Sequence, residues 1–368
     1  MARAGLYAGA FLGPFGGGVT VAMLPELGAA YGVSPGTAAM SVTAYLLPFA
    51  AIMLVSGTLG ERWGLRRTVV AACWAYALAS VACALAGSLP EFLAARAAQG
   101  AANAFTTPLL LAAIRATVPS DRLGGANGRY HSLQAAGQTS AALCGGLAAE
   151  VDWRLAFWGV AVVAALLAVG GIPAVPRSAV PARLRSAWRP IVLRIGLVAG
   201  LGWACLVGLH FLVALRLEEV FGLGAGPRGL VLTTLGLVGI LTGRMVGGWI
   251  DRTGPQRGVL IGTGLGVLVV VGVGLAPTAV LVALLWAVGG VANQLLAVGT
   301  STLVSSFSAD NPAGSMSVVQ AVRFGSGALS PVAITPIYHA DPLAGFLVPA
   351  VLLAVAVPVV LPRQDQQR

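Results

Sequence analysis

A short motif rich in glycine and arginine occurs twice in this chain, half a chain apart. The first copy runs from Gly57 to Arg67 and the second from Gly247 to Arg257, and each lies between two long apolar stretches. An internal repeat of this kind is typical of membrane proteins built from two related halves. The motif residues are Gly57, Glu61, Arg62, Gly64, Arg66 and Arg67 in the first copy and Gly247, Asp251, Arg252, Gly254 and Arg257 in the second.

The composition excludes a soluble globular fold. The chain is 57% hydrophobic and 9% charged, whereas a soluble domain carries about 25% charged residues. Its net charge is +10, but the arginines are dispersed at the ends of apolar runs and form no basic, aromatic-rich face of the kind that binds nucleic acid. No cysteine pair or cluster indicates a metal or a disulfide, so we expect no metal, no cofactor and no nucleic-acid partner.

The apolar runs predict an all-α polytopic membrane protein. A helix needs about 20 apolar residues to cross roughly 30 Å of hydrocarbon, and these runs are too long for the strands of a barrel. Twelve runs meet this requirement. They are residues 6–25, 37–56, 68–87, 91–114, 130–149, 155–175, 191–213, 229–248, 259–277, 280–303, 315–337 and 343–361.

The repeat and the arginines predict the organisation and the orientation. We expect an N-terminal six-helix bundle over 1–175, a linker over 176–190 and a C-terminal six-helix bundle over 191–368. Arginine is enriched in cytoplasmic segments of membrane proteins. Most arginines fall on one side if the N-terminus is inside, which predicts that both termini and the linker are cytoplasmic, in a plasma membrane of the bacterial type.

The first loop motif resembles the cytoplasmic loop signature of the major facilitator superfamily. Three other features agree with this resemblance, which covers essentially the whole chain: the first is similar to another motif of the superfamily, and the other two are similar to motifs of its drug-efflux branches. The sequence departs from the pattern at Glu61, where the family has Asp, at Leu65, where it has a basic residue, and before Gly145, where a Pro is absent. The three further features are Arg96 with Gln99 and Gly100, Asp152-Trp153-Arg154 with Phe157, and Leu24-Pro25 with Ala44-Tyr45-Leu46.

This resemblance implies twelve transmembrane helices in two pseudo-symmetric six-helix bundles. It also implies a monomeric secondary transporter that works by alternating access, with proton-coupled efflux of a small organic molecule as the leading interpretation. Uptake of a small solute and a non-transporting sensor of the same fold remain alternatives. The chain has no nucleotide-binding Walker sequence and no paired catalytic residues, so we predict neither ATP-driven transport nor an enzyme.

Both loop motifs contain a carboxylate that can bind the start of another helix, where the positive end of the helix dipole stabilises it. We expect Glu61 at the start of the eleventh span, near Gly314, and Asp251 at the start of the fifth. Arg66 and Arg67 are expected to reach acids such as Asp121. These contacts would hold the cytoplasmic side closed; the alternative is that the arginines only anchor the topology.

Two arginines, Arg96 and Arg323, fall within predicted spans. An arginine near the centre of a membrane helix costs about 2.5–3.5 kcal/mol on insertion scales, so it should face a cavity or a partner. We expect either a substrate or coupling role or a structural hydrogen-bonding role for both. Arg96 lies nearer the outer surface, and its side chain could also extend to that surface.

Other polar residues in the spans are candidates for binding the substrate or a coupling proton. Interhelical hydrogen bonds are the alternative for the amides, and packing is the alternative for the histidine. No acid is predicted deep within a span, which favours a neutral or anionic substrate over a cation. The candidates are Glu26, Asn103, Gln134, Gln138, His210, Asn293, Gln294 and Gln320.

Overall fold

The computed structural model describes residues 2–170, 184–307 and 311–362, and this part of the chain is helical without strands. Helices are expected, because a backbone in lipid must satisfy its hydrogen bonds within its own segment. The first half forms six helical passes. Their helices are α1 (Ala2–Gly18), α2 (Leu24–Tyr31), α3 (Pro35–Ala38), α4 (Met40–Trp63), α5 (Leu65–Leu85), α6 (Leu89–Asn103), α7 (Thr107–Thr117), α8 (Leu123–Val151) and α9 (Arg154–Gly170).

Within the described residues the second half forms six more passes after a one-turn helix, which confirms the predicted all-α fold with twelve passes. Only residues 184–190 of the predicted linker lie within the described part of the chain. The helices are α10 (Leu184–Ala187), α11 (Pro190–Cys205), α12 (His210–Glu219), α13 (Ala225–Thr253), α14 (Pro255–Leu275), α15 (Ala279–Phe307), α16 (Pro312–Ala340) and α17 (Ala344–Val360).

Three passes that the sequence predicts as continuous are interrupted. In the first pass a 3₁₀ turn over Val19–Met23 separates α1 from α2, and in the seventh a 3₁₀ turn over Val207–Leu209 separates α11 from α12. In the fourth pass, residues 104–106 separate α6 from α7. Each interruption leaves backbone carbonyls at a helix end without a partner in the helix. Side chains from other helices bind some of these carbonyls, as described below.

The helices before the two loop motifs are longer than the sequence predicts. The second and eighth spans were expected to end near 56 and 248, with the motif in a loop. Instead α4 continues through Glu61 and Arg62 to Trp63, and α13 continues through Asp251 and Arg252 to Thr253. The prediction that these four charged residues lie in a loop is therefore wrong. They occupy the last helical turn, and the chain reverses only at the following glycine.

The longer described helices have the apolar surface of membrane spans. Large apolar side chains are exposed along them, including Leu78, Leu166 and Leu241, as expected for surfaces that face lipid and not water. By length and composition alone, six helical stretches in the described residues are long and apolar enough to cross a membrane. They are Met40–Trp63, Leu65–Leu85, Pro190–Glu219, Pro227–Thr253, Pro255–Leu275 and Ala279–Phe307.

The chain separates into two compact units. Unit 1 comprises Met1–Thr117, Leu133–Ser186 and Asp310–Ser317. Unit 2 comprises Val118–Ser132, Ala187–Ala309 and Val318–Arg368. The start of α8 is thus grouped with unit 2 and the start of α16 with unit 1. The contacts of each loop motif described below lie within a single unit.

Each unit has its own apolar core. In unit 1 the aromatic rings of Phe92, Trp153 and Phe157 meet edge to face, with centroids 5.4–6.0 Å apart. Trp153 and Phe157 belong to the segment that resembles the drug-efflux branches, and their burial gives that segment a packing role. In unit 2 α13 and α15 pack through Ile250 and Val298, directly beside the second loop motif.

Candidate functional site

The two loop motifs share one turn conformation. Gly64 follows α4 with φ 95° and ψ 121°, and Gly254 follows α13 with φ 92° and ψ 148°. A positive φ of this size strongly disfavours residues with a Cβ atom, so a glycine is required at both positions. Each glycine donates its N–H to a carbonyl one turn earlier, Gly60 and Ile250 respectively. The repeat in sequence is therefore a repeat in backbone geometry.

In unit 1 the first motif contacts the start of α16. The Glu61 carboxylate accepts a hydrogen bond from the Ala313 backbone N–H, with Oε1 and N 3.3 Å apart. Gly57, one turn earlier, lies so close that a Cβ there would overlap the Ala313 carbonyl group. The carboxylate thus lies at the positive end of the α16 dipole, where a negative charge is stabilised by about 0.3–1 kcal/mol at exposed positions.

Three further hydrogen bonds at this contact involve Asn311, Thr58 and Ser317, which the motif did not predict. Asn311 caps α16 by accepting from the Gly314 N–H at 2.9 Å, and it donates to Thr58 Oγ1 at 3.0 Å. The Ser317 hydroxyl donates to the Met53 carbonyl. The sequence Asn311-Pro312 is a typical helix start, with a capping residue followed by proline at the first helical position, so the cap itself was predictable.

In unit 2 the second motif contacts the start of α8. Asp251 accepts two backbone hydrogen bonds, from the Gly124 N–H at 2.5 Å and from the Gly125 N–H at 2.7 Å. A Cβ at Gly247 would overlap the Gly124 carbonyl oxygen, and one at Gly128 would overlap the Gly243 carbonyl oxygen. Glycines on both helices permit this close approach, which brings the Asp251 carboxylate within reach of two N–H groups.

Polar side chains continue this second contact toward α15. Asn127 donates to Thr302 Oγ1 at 3.1 Å, and His131 Nε2 lies 2.9 Å from Ser301 Oγ. All four side chains are buried. The roles of Thr302 and Ser301 could not be read from the sequence, because a lone Ser or Thr in an apolar run gives no sign of which helix it faces.

The arginines of the two motifs are solvent-exposed. Arg66, Arg67 and Arg257 form no ion pair with any residue of the described ranges, and Asp121 pairs with Arg122 at 3.8 Å. The expected ion pairs of Arg66 and Arg67 with acids such as Asp121 are therefore not formed. Arg62 and Arg252 are exposed as well. Near Glu61, the arginine that attracts its carboxylate is Arg115, at the end of α7.

Arg96 is completely buried in unit 1, so the expectation that it could reach the outer surface is wrong. Its guanidinium donates to the Gly16 carbonyl at 2.9 Å and to the Gly17 carbonyl at 3.3 Å, where α1 ends, and also to Gln99 Oε1. It lies 4.4 Å above the Tyr45 ring. A cation at a helix C-terminus is favourable because the carbonyls there are unpaired and carry partial negative charge.

Arg323 lies in unit 2 with only 3% of its surface exposed. Its guanidinium stacks 3.9 Å above the ring of Trp203 on α11. Its Nη1 group has no hydrogen-bond partner within the described part of the chain. Two arginines that looked alike in sequence are therefore in different environments, since Arg96 is bonded to backbone carbonyls and Arg323 is not.

The candidate amides differ in their hydrogen bonds and in their burial. Asn103 is buried in unit 1, where it donates to the Tyr45 hydroxyl at 2.7 Å and accepts from Thr106 at 2.6 Å. Gln294 is buried in unit 2 and donates to the Gly239 carbonyl at 2.9 Å. These two residues therefore make interhelical or local hydrogen bonds. Of the remaining amides, Gln134 and Gln320 are buried, Asn293 is half-buried and Gln138 is exposed.

The two candidates for proton coupling differ in exposure. Glu26 is exposed in the first turn of α2. His210 is half-buried at the start of α12, where its Nδ1 lies 2.8 Å from the Val207 carbonyl oxygen and its ring meets that of Trp286 edge to face. A carbonyl only accepts, so Nδ1 carries a proton and Nε2 is the atom that would gain or lose one.

In unit 1 a small cavity lies between α1, α5 and the α6–α7 interruption. Its volume is about 10 Å³, close to that of one water molecule. Gly13, Cys73, Tyr76, Asn103 and Thr106 are among the residues that line it. A drug-sized solute needs several hundred Å³, so this cavity in its present form is too small to hold one.

Comparison with known proteins gives the family. The sequence profile of the Major Facilitator Superfamily matches residues 6–331. An uncharacterized transporter of this type, EfpA of Mycobacterium tuberculosis, is 31% identical over 38% of this chain and 26% of its own length. The puromycin resistance protein pur8 of Streptomyces alboniger is 34% identical over 42% of this chain and 31% of its own length. A tetracenomycin C resistance and export protein of Streptomyces glaucescens is 31% identical over 31% of this chain and 21% of its own length.

Solved structures share the fold. The human organic anion transporter MFSD10 superposes with a TM-score of 0.81 at 15% identity, covering 98% of both chains. The proton:xylose symporter XylE superposes with a TM-score of 0.79 at 14% identity, covering 98% of this chain and 95% of its own.

The match with each sequence relative above spans less than a third of that relative's length. The family profile, in contrast, matches most of the chain, and its members are transporters and not enzymes. The chain is an integral membrane protein that belongs to the major facilitator superfamily.

Proposed function

We propose that this protein is a secondary transporter that exports a small organic molecule by alternating access, driven by proton exchange. It acts as a monomer in a plasma membrane of the bacterial type, with both termini in the cytoplasm. The observation that carries the proposal is the duplicated loop motif. In each unit, a carboxylate at the end of one helix accepts hydrogen bonds from the backbone at the start of another, and such contacts can hold or release a helix end.

Two lines of support favour export of an organic molecule. The relatives include a puromycin resistance protein and a tetracenomycin C resistance and export protein, and two motifs of the chain resemble the drug-efflux branches. The described acidic residues lie at or near helix ends, so a solute in the middle of the membrane would meet arginines and amides but no carboxylate. This favours a neutral or anionic solute over a cation.

His210 and Glu26 are the proposed proton carriers. His210 is in the interior of the seventh pass and titrates near neutral pH in its unperturbed state. Its neighbour Trp286 excludes water from one side of the ring. Glu26 is exposed in the first turn of α2. A proton taken up from one side and released to the other would provide the energy for export of the solute.

The test is transport by purified protein in liposomes. A thermal-shift screen of drugs, sugars, amino acids and organic anions first selects solutes that stabilise the protein. Movement of these solutes is then measured with an imposed pH gradient and with the gradient collapsed by an ionophore. We expect gradient-dependent movement in the parent protein that His210→Gln or Glu26→Gln uncouples. Transport that ignores the gradient would refute proton coupling, and the absence of any solute movement would favour a sensor.

The orientation needs a separate test. A cysteine replaces Ser120 or Thr278, both exposed, in a variant that lacks the four native cysteines. Ser120 follows the fourth pass and Thr278 precedes the tenth, so the proposal places them on the inner and outer side respectively. An impermeant thiol reagent added to intact cells should label position 278 and not 120. Labelling of position 120 alone would reverse the proposed orientation.

A further inference from the structure

The arginines that lie at least partly within the helices differ in what their donors bind. Arg194 donates to the Val360 carbonyl at 2.8 Å, Arg216 donates to the Ala276 carbonyl at 3.0 Å, and Arg96 donates to the carbonyls that end α1. Each of these acceptors belongs to a helix C-terminus, where carbonyls lack a partner in the helix. The fold therefore supplies each of these guanidiniums with a carbonyl acceptor, although Nε of Arg216 has no hydrogen-bond partner among the described residues.

Arg323 differs from these three arginines, because no carbonyl of the described residues accepts a hydrogen bond from it. It lies three turns into α16, about 16 Å from its start at 1.5 Å per residue. Its Nη1 has no partner, and no carboxylate forms an ion pair with it in residues 2–170, 184–307 and 311–362. The ring of Trp203 compensates part of the charge by a cation–π contact. A buried guanidinium with an unused donor is costly and normally marks a functional site.

A second unused donor lies beside it. Gln320 is one turn earlier on α16, and residues three apart lie on the same face of a helix. Its side chain is buried, and its Nε2 has no hydrogen-bond partner among the described residues. Two buried N–H groups on the same face of α16 that lack acceptors match an acceptor with at least two oxygen atoms, which is the form of a carboxylate or a sulfonate.

We propose that Arg323 and Gln320 bind the anionic group of an organic solute, with Trp203 as the aromatic surface beside it. The inference rests on the proposed transport function and names its substrate class, a carboxylate or sulfonate attached to an apolar body. Trp203 is positioned for this because it packs against Gly327, where a Cβ atom would overlap the indole ring. A small side chain at 327 thus lets the ring lie next to the guanidinium one turn earlier.

The test compares two probes of the same shape, naphthoate and its neutral amide naphthamide. Their affinities for the purified full chain are measured by the quenching of tryptophan fluorescence and by calorimetry, in a neutral detergent. Naphthoate should bind at least about tenfold more tightly than naphthamide, since hydrogen bonds to charged groups contribute more than neutral ones. Arg323→Gln should abolish this preference. Arg323→Lys should keep part of it, because the lysine ammonium retains the positive charge but lacks the planar guanidinium that binds two oxygens at once.

Arg216→Gln is the matched control, because Arg216 is also partly buried but donates to a backbone carbonyl. It should keep the preference for naphthoate. The proposal is overturned if naphthoate does not bind the parent, if both probes bind equally, or if Arg323→Gln keeps the preference. Arg323→Gln removes an unpaired buried charge, so we expect it to fold, and an unchanged elution volume and tryptophan spectrum check this.

Two further probes test whether the anionic group belongs to an organic solute, a free ion or a lipid. Inorganic phosphate and phosphatidylglycerol are each added in place of naphthoate. If either binds as tightly as naphthoate in a manner that requires Arg323, the site is for a free ion or a lipid and the organic-solute proposal is overturned. The proposed transport function fails separately: a parent protein that binds naphthoate but moves no solute across liposomes refutes transport, whereas a transporter indifferent to Arg323→Gln refutes only the anion site.

Discussion

The two loop motifs use the same turn but bind their helix starts differently. In the second motif, both oxygens of Asp251 accept backbone N–H groups, at 2.5 and 2.7 Å. In the first motif, only one oxygen of Glu61 does so, at 3.3 Å. The first contact instead has two neutral side-chain hydrogen bonds, from Asn311 to Thr58 and from Ser317 to Met53. A duplicated sequence has thus kept its backbone geometry while its binding groups diverged.

This difference has an energetic consequence. Hydrogen bonds to a charged group contribute about 1.5–3 kcal/mol, against about 0.5–1.5 kcal/mol for neutral ones, and short bonds are the stronger. The second contact therefore depends on one carboxylate. The first is distributed over several weaker bonds. We expect the second to be more sensitive to a single polar substitution, and both to be equally sensitive to loss of the close helix approach.

The largest effect is expected from adding a Cβ atom where two helix backbones lie closest together. Gly57→Ala and Gly247→Ala each place a Cβ against a backbone carbonyl, of Ala313 and Gly124 respectively, and overpacking costs about 1–3 kcal/mol. Hydrogen exchange, measured by mass spectrometry, should increase at the start of α16 in the first variant and of α8 in the second. Gly248→Ala is the control, since its Cβ would meet no atom within 4 Å. An equal increase in the control would contradict the packing argument.

The next effect separates the two motifs. Asp251→Asn removes the charge and leaves a single acceptor oxygen for two N–H groups, so we expect a loss of about 1.5–3 kcal/mol and roughly tenfold or greater acceleration of exchange at Gly124 and Gly125. Glu61→Gln should accelerate exchange at Ala313 by less, because its bond is longer. If Glu61→Gln has the larger effect, the comparison between the motifs is wrong.

Sequence alone predicted the fold and the repeat because these depend on apolar length and on glycine. Gly64 and Gly254 could be recognised as turn residues, since few other residues adopt a positive φ. The ends of α4 and α13 could not be, because charged residues are as compatible with a last helical turn as with a loop. Helix ends are the least certain feature of any such prediction.

The sequence could not predict which groups the buried polar side chains bind. Arg96 and Arg323 have the same predicted cost in a membrane, but only the structure shows that α1 ends beside Arg96 and offers the carbonyls of Gly16 and Gly17. Nothing in the sequence indicated that Thr58 binds Asn311, since an isolated threonine in an apolar run can face any helix. The Asn311 cap did have a signal, because asparagine followed by proline typically begins a helix.

A smaller effect is expected where the first motif has its additional bonds. Thr58→Val keeps the shape of the side chain but removes the acceptor for Asn311 Nδ2. We expect a loss of about 0.5–1.5 kcal/mol at this contact, as for one neutral hydrogen bond. Exchange at the start of α16 should rise, with no change at the start of α8. Thr253→Val is the control, because its exposed hydroxyl bonds only to the carbonyl one turn earlier in its own helix. A rise at both helix starts would show that the two contacts are coupled.

The smallest effect is expected from the exposed arginines of the motifs. Arg66→Gln and Arg257→Gln remove charges that form no ion pair in the described part of the chain, and surface substitutions of this kind usually change stability by less than about 0.5 kcal/mol. Hydrogen exchange at Ala313, Gly124 and Gly125 should therefore match that of the parent protein. These arginines would then act on topology, which labelling of a cysteine at position 120 reports independently. Faster exchange at either helix start, seen at low salt and suppressed at high salt, would instead show that the arginines stabilise the contact through a long-range charge effect.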